Sequence, residues 1–226
     1  KTPDLVFTVN YYPAISNLCN QHGIRYVSWI YDAPYRRLFS QTVANPCNQI
    51  YVFDRKLYLE CHNAGISTVH YLPMAVNVER VDALLSENRS DKKKYAHDVS
   101  FVGSLYLENS NAFIEMENSL SDYAKGYLDA MVAAQLKIQG YNFLEEVIGP
   151  VIDELCKVRP IAREPGALES REYYYAQYII GDWITALERI DLMEAIAQTH
   201  KVDLYTQYEQ FSAPGITNHG IADYYT

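Results

Sequence analysis

The sequence predicts an α/β protein built on doubly wound parallel sheets. Three observations carry that reading. Four short segments in the first eighty residues are rich in β-branched and aromatic side chains and almost continuously apolar, as parallel strands covered on both faces are. Segments of helical period lie between them. The strands recur at about twenty residues, the spacing of strand–helix–strand units with right-handed crossovers.

Taken in order, Leu5–Val9 is the first strand. Pro13 suits a first helical turn, and Ile15, Leu18, Cys19 and His22 then share a face until Gly23 stops the helix. Tyr26–Ile30 and Ile50–Phe53 are the next strands. Asp54 can cap a helix through Leu57, Tyr58 and Cys61 that ends at Gly65, before a fourth strand at Thr68–Leu72. A second α/β unit opens at Asp98-Val99-Ser100-Phe101-Val102-Gly103-Ser104. Its next strand is Val202–Tyr205, preceded by a helix from about Trp183 to Thr199 on which Ile184, Leu187, Ile190 and Met193 recur at helical spacing. Between these strands, residues 110–180 carry stripes such as Leu128, Met131, Val132 and Leu144, Val147, Ile148. Breaks fall at Gly140, Gly149-Pro150 and Pro160–Pro165. A crossover needs only about thirty residues, so this stretch reads as a helical insertion spanning about 107–180. Tyr173-Tyr174-Tyr175 reads as packing before it reads as a sugar-stacking platform. The expected division is residues 1–90, a linker at 91–97, and residues 98–226.

Charge supports the boundary. Residues 1–97 hold eleven Lys/Arg and eight Asp/Glu (+3), and residues 98–226 hold eight and twenty (−12), which sum to the net −9. A run of three lysines, Lys92-Lys93-Lys94, falls in the linker. An acidic chain without a basic stripe is a poor partner for nucleic acid, whose binding rests on phosphate neutralisation. No apolar run is long enough for a membrane span. Cys19, Cys47, Cys61 and Cys156 show no paired spacing, so four reduced thiols and a cytoplasmic location are expected. Asn88-Arg89-Ser90 matches a glycosylation acceptor, a chance match without a secretion signal. Sequence is expected upstream of Lys1, because Leu5–Val9 already reads as a buried strand, and beyond Thr226.

The motifs of several chemistries are absent from the sequence. It has no G-x-G-x-x-G or Walker loop, no H-E-x-x-H, no EF-hand loop, no G-x-S-x-G elbow and no Asp pair at i, i+2. What remains are polar residues at the carboxyl ends of predicted strands, where open α/β sheets bind ligands. Asn10-Tyr11-Tyr12 follows the first strand, Tyr31-Asp32-Ala33-Pro34 the second, Asp54-Arg55 the third and Pro73–Asn77 the fourth. Helix capping explains Asp54. Asp32, constrained by Pro34, is the candidate acid/base or acceptor-orienting residue, with a turn role as the alternative. His219 lies on a glycine-flanked loop, Gly215–Gly220.

Ser28-Trp29-Ile30-Tyr31-Asp32-Ala33-Pro34, Val52-Phe53-Asp54-Arg55, Tyr71-Leu72-Pro73-Met74-Ala75-Val76-Asn77, Asp98 to Tyr106 and Val202-Asp203-Leu204-Tyr205-Thr206 occur in an order and spacing that resemble the bacterial spore-maturation-protein (CgeB-like) glycosyltransferase group. The resemblance implies a two-domain GT-B architecture with facing Rossmann-like domains. It implies transfer of a sugar from a nucleotide-sugar donor to a protein or glycan acceptor, with no cofactor beyond that substrate and no metal. It places Gly103 and Ser104 on the donor side of a cleft; the strand-end residues Asn10, Tyr11, Pro34 and Asn77 are the acceptor-side candidates, and His219 on its glycine-flanked loop is a further donor-side candidate. Catalytic residues are not assigned by match. The alternative expectation is a non-catalytic binding or morphogenetic protein on the same fold.

Overall fold

In the computed structural model, residues 3–88, 98–161 and 168–222 are described. The chain divides into two units, residues 1–86 with 162–169, and residues 87–161 with 170–226.

In the first unit, β1 (Leu5–Val9), α1 (Pro13–His22), β2 (Arg25–Ile30), two short 3-10 segments, β3 (Asn48–Val52), α2 (Arg55–Asn63), β4 (Val69–Tyr71) and α3 (Val78–Asn88) follow one another. All strand pairs are parallel and the order is β1-β2-β3-β4. α1 begins at Pro13, whose missing N–H costs nothing in a first turn, and Gly23 closes it in the left-handed conformation. α2 begins where expected, with the Leu57 N–H donating to Asp54 Oδ1 at 2.6 Å.

Sequential order with right-handed crossovers sends every connection to the same face. On that face Tyr26, Ile30, Ile50 and Val52 are buried with Cys19, Leu57 and Cys61. The opposite face is open: Leu5, Phe7 and Val9 are 46%, 56% and 47% exposed. The expectation of strands covered on both faces is therefore met on one face only among the described residues. A two-residue period fixes this outcome, because adjacent residues on a strand point to opposite sides.

In the second unit come β5 (Val99–Val102), α4 (Leu107–Asn118), α5 (Asp122–Gln135), α6 (Leu144–Val147), α7 (Ile152–Val158), α8 (Arg171–Tyr174), a π-helical turn (Tyr175–Ile180), α9 (Gly181–Ala197), β6 (Val202–Tyr205) and β7 (Ile216–Asn218). The strands form a parallel sheet ordered β5-β6-β7, with Val99 opposite Val202 and Val102 opposite Tyr205. The described part of the long interval between β5 and β6 is helical, as its periodicity requires. Its core joins Phe113, Leu128, Leu144, Ile148, Leu155, Tyr175 and Ile180. Tyr175 of the predicted aromatic cluster is fully buried and donates to the Leu155 carbonyl at 3.1 Å. The π turn abuts Gly181, where a Cβ would lie 2.9 Å from the Ala176 carbonyl oxygen. β7 replaces part of the predicted loop at 215–220. Gly215 makes this possible: at φ 77°, its backbone passes so near the end of α9 that a Cβ would sit 2.7 Å from the Ala197 carbonyl oxygen.

Candidate functional site

The carboxyl edges of the two sheets are built differently. In the first unit, Asn10 leaves β1 with φ 63°, a left-handed conformation that asparagine tolerates better than most residues. This turn is held from several directions. The Thr8 hydroxyl donates to the Asn10 carbonyl at 2.6 Å, the Asn10 N–H donates to the Trp29 carbonyl at 2.8 Å, and the Asn10 side-chain amide donates to Asp32 Oδ2 at 2.7 Å. Asn10 and Asp32, singled out separately in the sequence, thus form one polar pair across the ends of β1 and β2. Asp32 and Pro34 are exposed, and the Ala33–Pro34 peptide is cis.

Tyr11 belongs elsewhere. It is fully buried, stacks on Tyr26 with ring centroids 5.8 Å apart, and its hydroxyl pairs with Thr42 Oγ1 at 2.7 Å. Burial pushes its phenol pKa upward. A side chain so enclosed lines no cleft, and its place in the core corrects the acceptor-side expectation. Asn77 accepts from the Arg80 N–H at 2.9 Å, the geometry of a helix cap on α3.

In the second unit, the loop after β5 is shaped by Tyr106 at φ 57° and by the Ser104 hydroxyl, which accepts from the Tyr106 N–H at 3.0 Å. Arg189 of α9 donates to the Ser104 carbonyl, and its guanidinium lies 4.5 Å from the Tyr106 ring centroid and 5.8 Å from that of Phe101. A cation is thereby held at the carboxyl end of β5. Beside this edge runs a groove of 710 Å³ between α4, α9 and the loop that follows β6. Leu107, Ile114, Trp183, Tyr208 and Phe211 supply its apolar walls, and Gln207 and Gln210 its amides. Trp183 is held in place by stacking on Phe113, with centroids 5.4 Å apart and planes 12° from parallel. Among the described lining residues, Glu209 alone is charged.

The groove wall and the nearby histidine are positioned by consecutive residues. Asn218 turns its amide toward the loop, donating to the carbonyls of Tyr208 at 2.8 Å and Phe211 at 3.1 Å. His219 turns the other way: its Nε2 is 2.6 Å from Asp203 Oδ1, and its ring stacks on Tyr205 at 4.8 Å. Strand alternation produces this division of labour.

The structure therefore brings Asn10 to Asp32, keeps Gly103 and Ser104 in the loop braced by Arg189, and joins His219 to Asp203. None of Gly103, Ser104 and His219 lines the groove. Sequence reasoning missed Asp203, Arg189, Asn218 and the groove itself. Two signals were available: Asp203 and Tyr205 alternate within a strand otherwise apolar, and Arg189 interrupts an apolar helical stripe. Among the described residues there is no group of three His, Cys, Asp or Glu suited to a metal ion, and no helix long and apolar enough to cross a membrane. No protein-family model, curated protein or solved structure matches the chain.

Proposed function

We propose that this chain forms part of a glycosyltransferase-like protein of GT-B type, which moves a sugar from a nucleotide-sugar donor to a protein or glycan acceptor without a metal. The observation that carries the reading is the aromatic and amide-lined groove at the carboxyl edge of the second unit's parallel sheet, beside a loop braced by Arg189. Parallel α/β sheets bind ligands at that edge. Aromatic walls suit a base or sugar ring, and amides select its hydrogen-bonding groups. Within the first unit, Asp32, which accepts from the Asn10 side-chain amide, is the candidate group for handling a proton. Four free cysteines support a reducing, cytoplasmic setting.

The test is calorimetric titration of nucleoside diphosphates, uridine and guanosine forms first, into the intact protein and into Trp183→Ala. Saturable binding weakened at least tenfold by the substitution is expected. Absence of binding by either nucleotide would sink the reading. A non-catalytic binding protein is the second reading, favoured by the groove's lining, in which Glu209 is the lone charge among described residues. Nucleotide binding without any transfer to acceptor or water would select it.

A further inference from the structure

We infer that the groove of the second unit selects guanine as the base of its nucleotide, with the Glu209 carboxylate as the specificity-determining group; this rests on the nucleotide-sugar reading above. The lining decides which part of a nucleotide enters. Its described residues include Trp183, Tyr208 and Phe211 but no Lys, Arg or His. Phosphates find no counter-ion among them, and the Glu209 carboxylate repels them. An uncharged ring system fits better. The volume of 710 Å³ lies within the range of small-ligand sites, and the aromatic walls offer faces for stacking. Phe113, stacked on Trp183, sets the plane of the indole before any ligand arrives. The base thus enters the groove and the diphosphate stays outside it.

Donor pattern then separates the bases. Glu209 lines the groove, and its carboxylate has no hydrogen bond or ion pair among the described residues. The loop that carries it is braced on both sides, because the Asn218 amide holds the carbonyls of Tyr208 and Phe211. An ionised carboxylate only accepts hydrogen bonds, through two oxygens. On its pairing edge guanine alone presents two adjacent donors, N1–H and the N2 amine, which meet those oxygens as a fork. Adenine and cytosine offer one amine beside a ring nitrogen that accepts, and the N3–H of uracil lies between two carbonyls. Against each of these the carboxylate gains one bond and faces a lone pair. The remaining group on the guanine edge, O6, is an acceptor, and the side-chain amides of Asn111 and Gln210 in the same lining supply donors.

The experiment is calorimetric titration of the diphosphates of guanosine, inosine, uridine, cytidine and adenosine into the intact protein and into Glu209→Gln. Guanosine diphosphate is expected to bind at least about tenfold more tightly than the uridine, cytidine and adenosine forms, as a forked pair discriminates. Inosine diphosphate, which lacks the N2 amine, should fall between. Glu209→Gln should melt as wild type does, since the side chain is exposed, and should lose the preference by weakening guanosine diphosphate selectively. Equal affinity for all five nucleotides overturns the inference and leaves the glycosyltransferase reading standing. Uniform weakening of all five by Glu209→Gln does the same, because it places the carboxylate on the shared ribose. If no nucleotide binds the wild type, the reading and the inference fall together.

Discussion

The Asn10 side-chain amide donates to the Asp32 carboxylate at 2.7 Å, tying the ends of β1 and β2 together at a point where the backbone of Asn10 is left-handed. Two separable effects meet in one residue. An alanine here carries the left-handed penalty of about 1–2 kcal/mol and loses the bond as well. A glycine loses the bond but adopts φ 63° without penalty. Asn10→Ala is expected to destabilise by roughly 1–2 kcal/mol in urea unfolding, and Asn10→Gly by less than about half of that. Equal losses would show that the turn conformation is not what selects asparagine.

Glu117 of α4 and Asp129 of α5 present the opposite case, two acids in contact. The pKa of Glu117 is raised, first by burial and then by its hydrogen bond and repulsion with Asp129, while Lys125 opposes the shift. A carboxyl whose folded pKa lies above its unfolded value binds its proton more tightly when folded. Its favourable contribution is therefore present below the unfolded value and lost as pH rises through the folded one. Glu117→Gln removes the charge permanently. It is expected to raise the melting temperature at pH 7 and to change it little near pH 3.5, where the wild-type carboxyl is protonated. A stabilisation equal at both pH values would contradict the shift.

Thr206 is 3% exposed, and its hydroxyl has no hydrogen-bond partner among the described residues. A buried hydroxyl without a partner costs about 1–3 kcal/mol relative to one that is satisfied. Valine has nearly the same shape and no such group. Thr206→Val is accordingly expected to leave stability unchanged or raise it by up to about 1–2 kcal/mol, measured by thermal unfolding. A loss beyond about 1 kcal/mol, the net worth of an ordinary hydrogen bond, would mean that the hydroxyl is bonded in solution.

The strands and the principal helices were legible because period and composition are local properties. Leu5–Val9 alone has a single character, and the capping of α2 needs only Asp54 and its next three residues. What escaped depended on pairing. Asp203 and His219 are sixteen residues apart, and only the β6–β7 register sets their side chains on one face. Tyr11 sits beside Asn10 in the sequence, yet alternation at the strand end sends it into the core against Tyr26 and Thr42. The open face of the first sheet was illegible for a related reason. An apolar strand reads the same whether one face or two are covered, and strand order decides which.

Asn218 provides the sharpest test of the groove, because one amide holds its wall. The donor Nδ2 meets three carbonyl oxygens, those of Tyr208, Phe211 and, at 3.4 Å, Glu209, while Oδ1 accepts from the Gly220 N–H at 3.0 Å. Asn218→Ala deletes these bonds and leaves the carbonyls to find water, a loss of about 1–3 kcal/mol. Asn218→Asp keeps the size and the acceptor but replaces the donor with an oxygen facing carbonyl oxygens. An ionised carboxylate donates nothing and repels all three. The aspartate should therefore be the worse substitution at pH 7, although it is nearly isosteric. Lowering the pH protonates the carboxyl, restores one donor and should narrow the gap between the two variants. Both should weaken ligand binding in the groove more than they lower stability, since the loop from Tyr208 to Phe211 is released while β7 keeps its ladder with β6. Urea unfolding and nucleotide titration of the two variants at pH 7 and pH 4.5 measure both quantities. An aspartate variant as stable as wild type at pH 7 would show that the loop is held by something other than this amide.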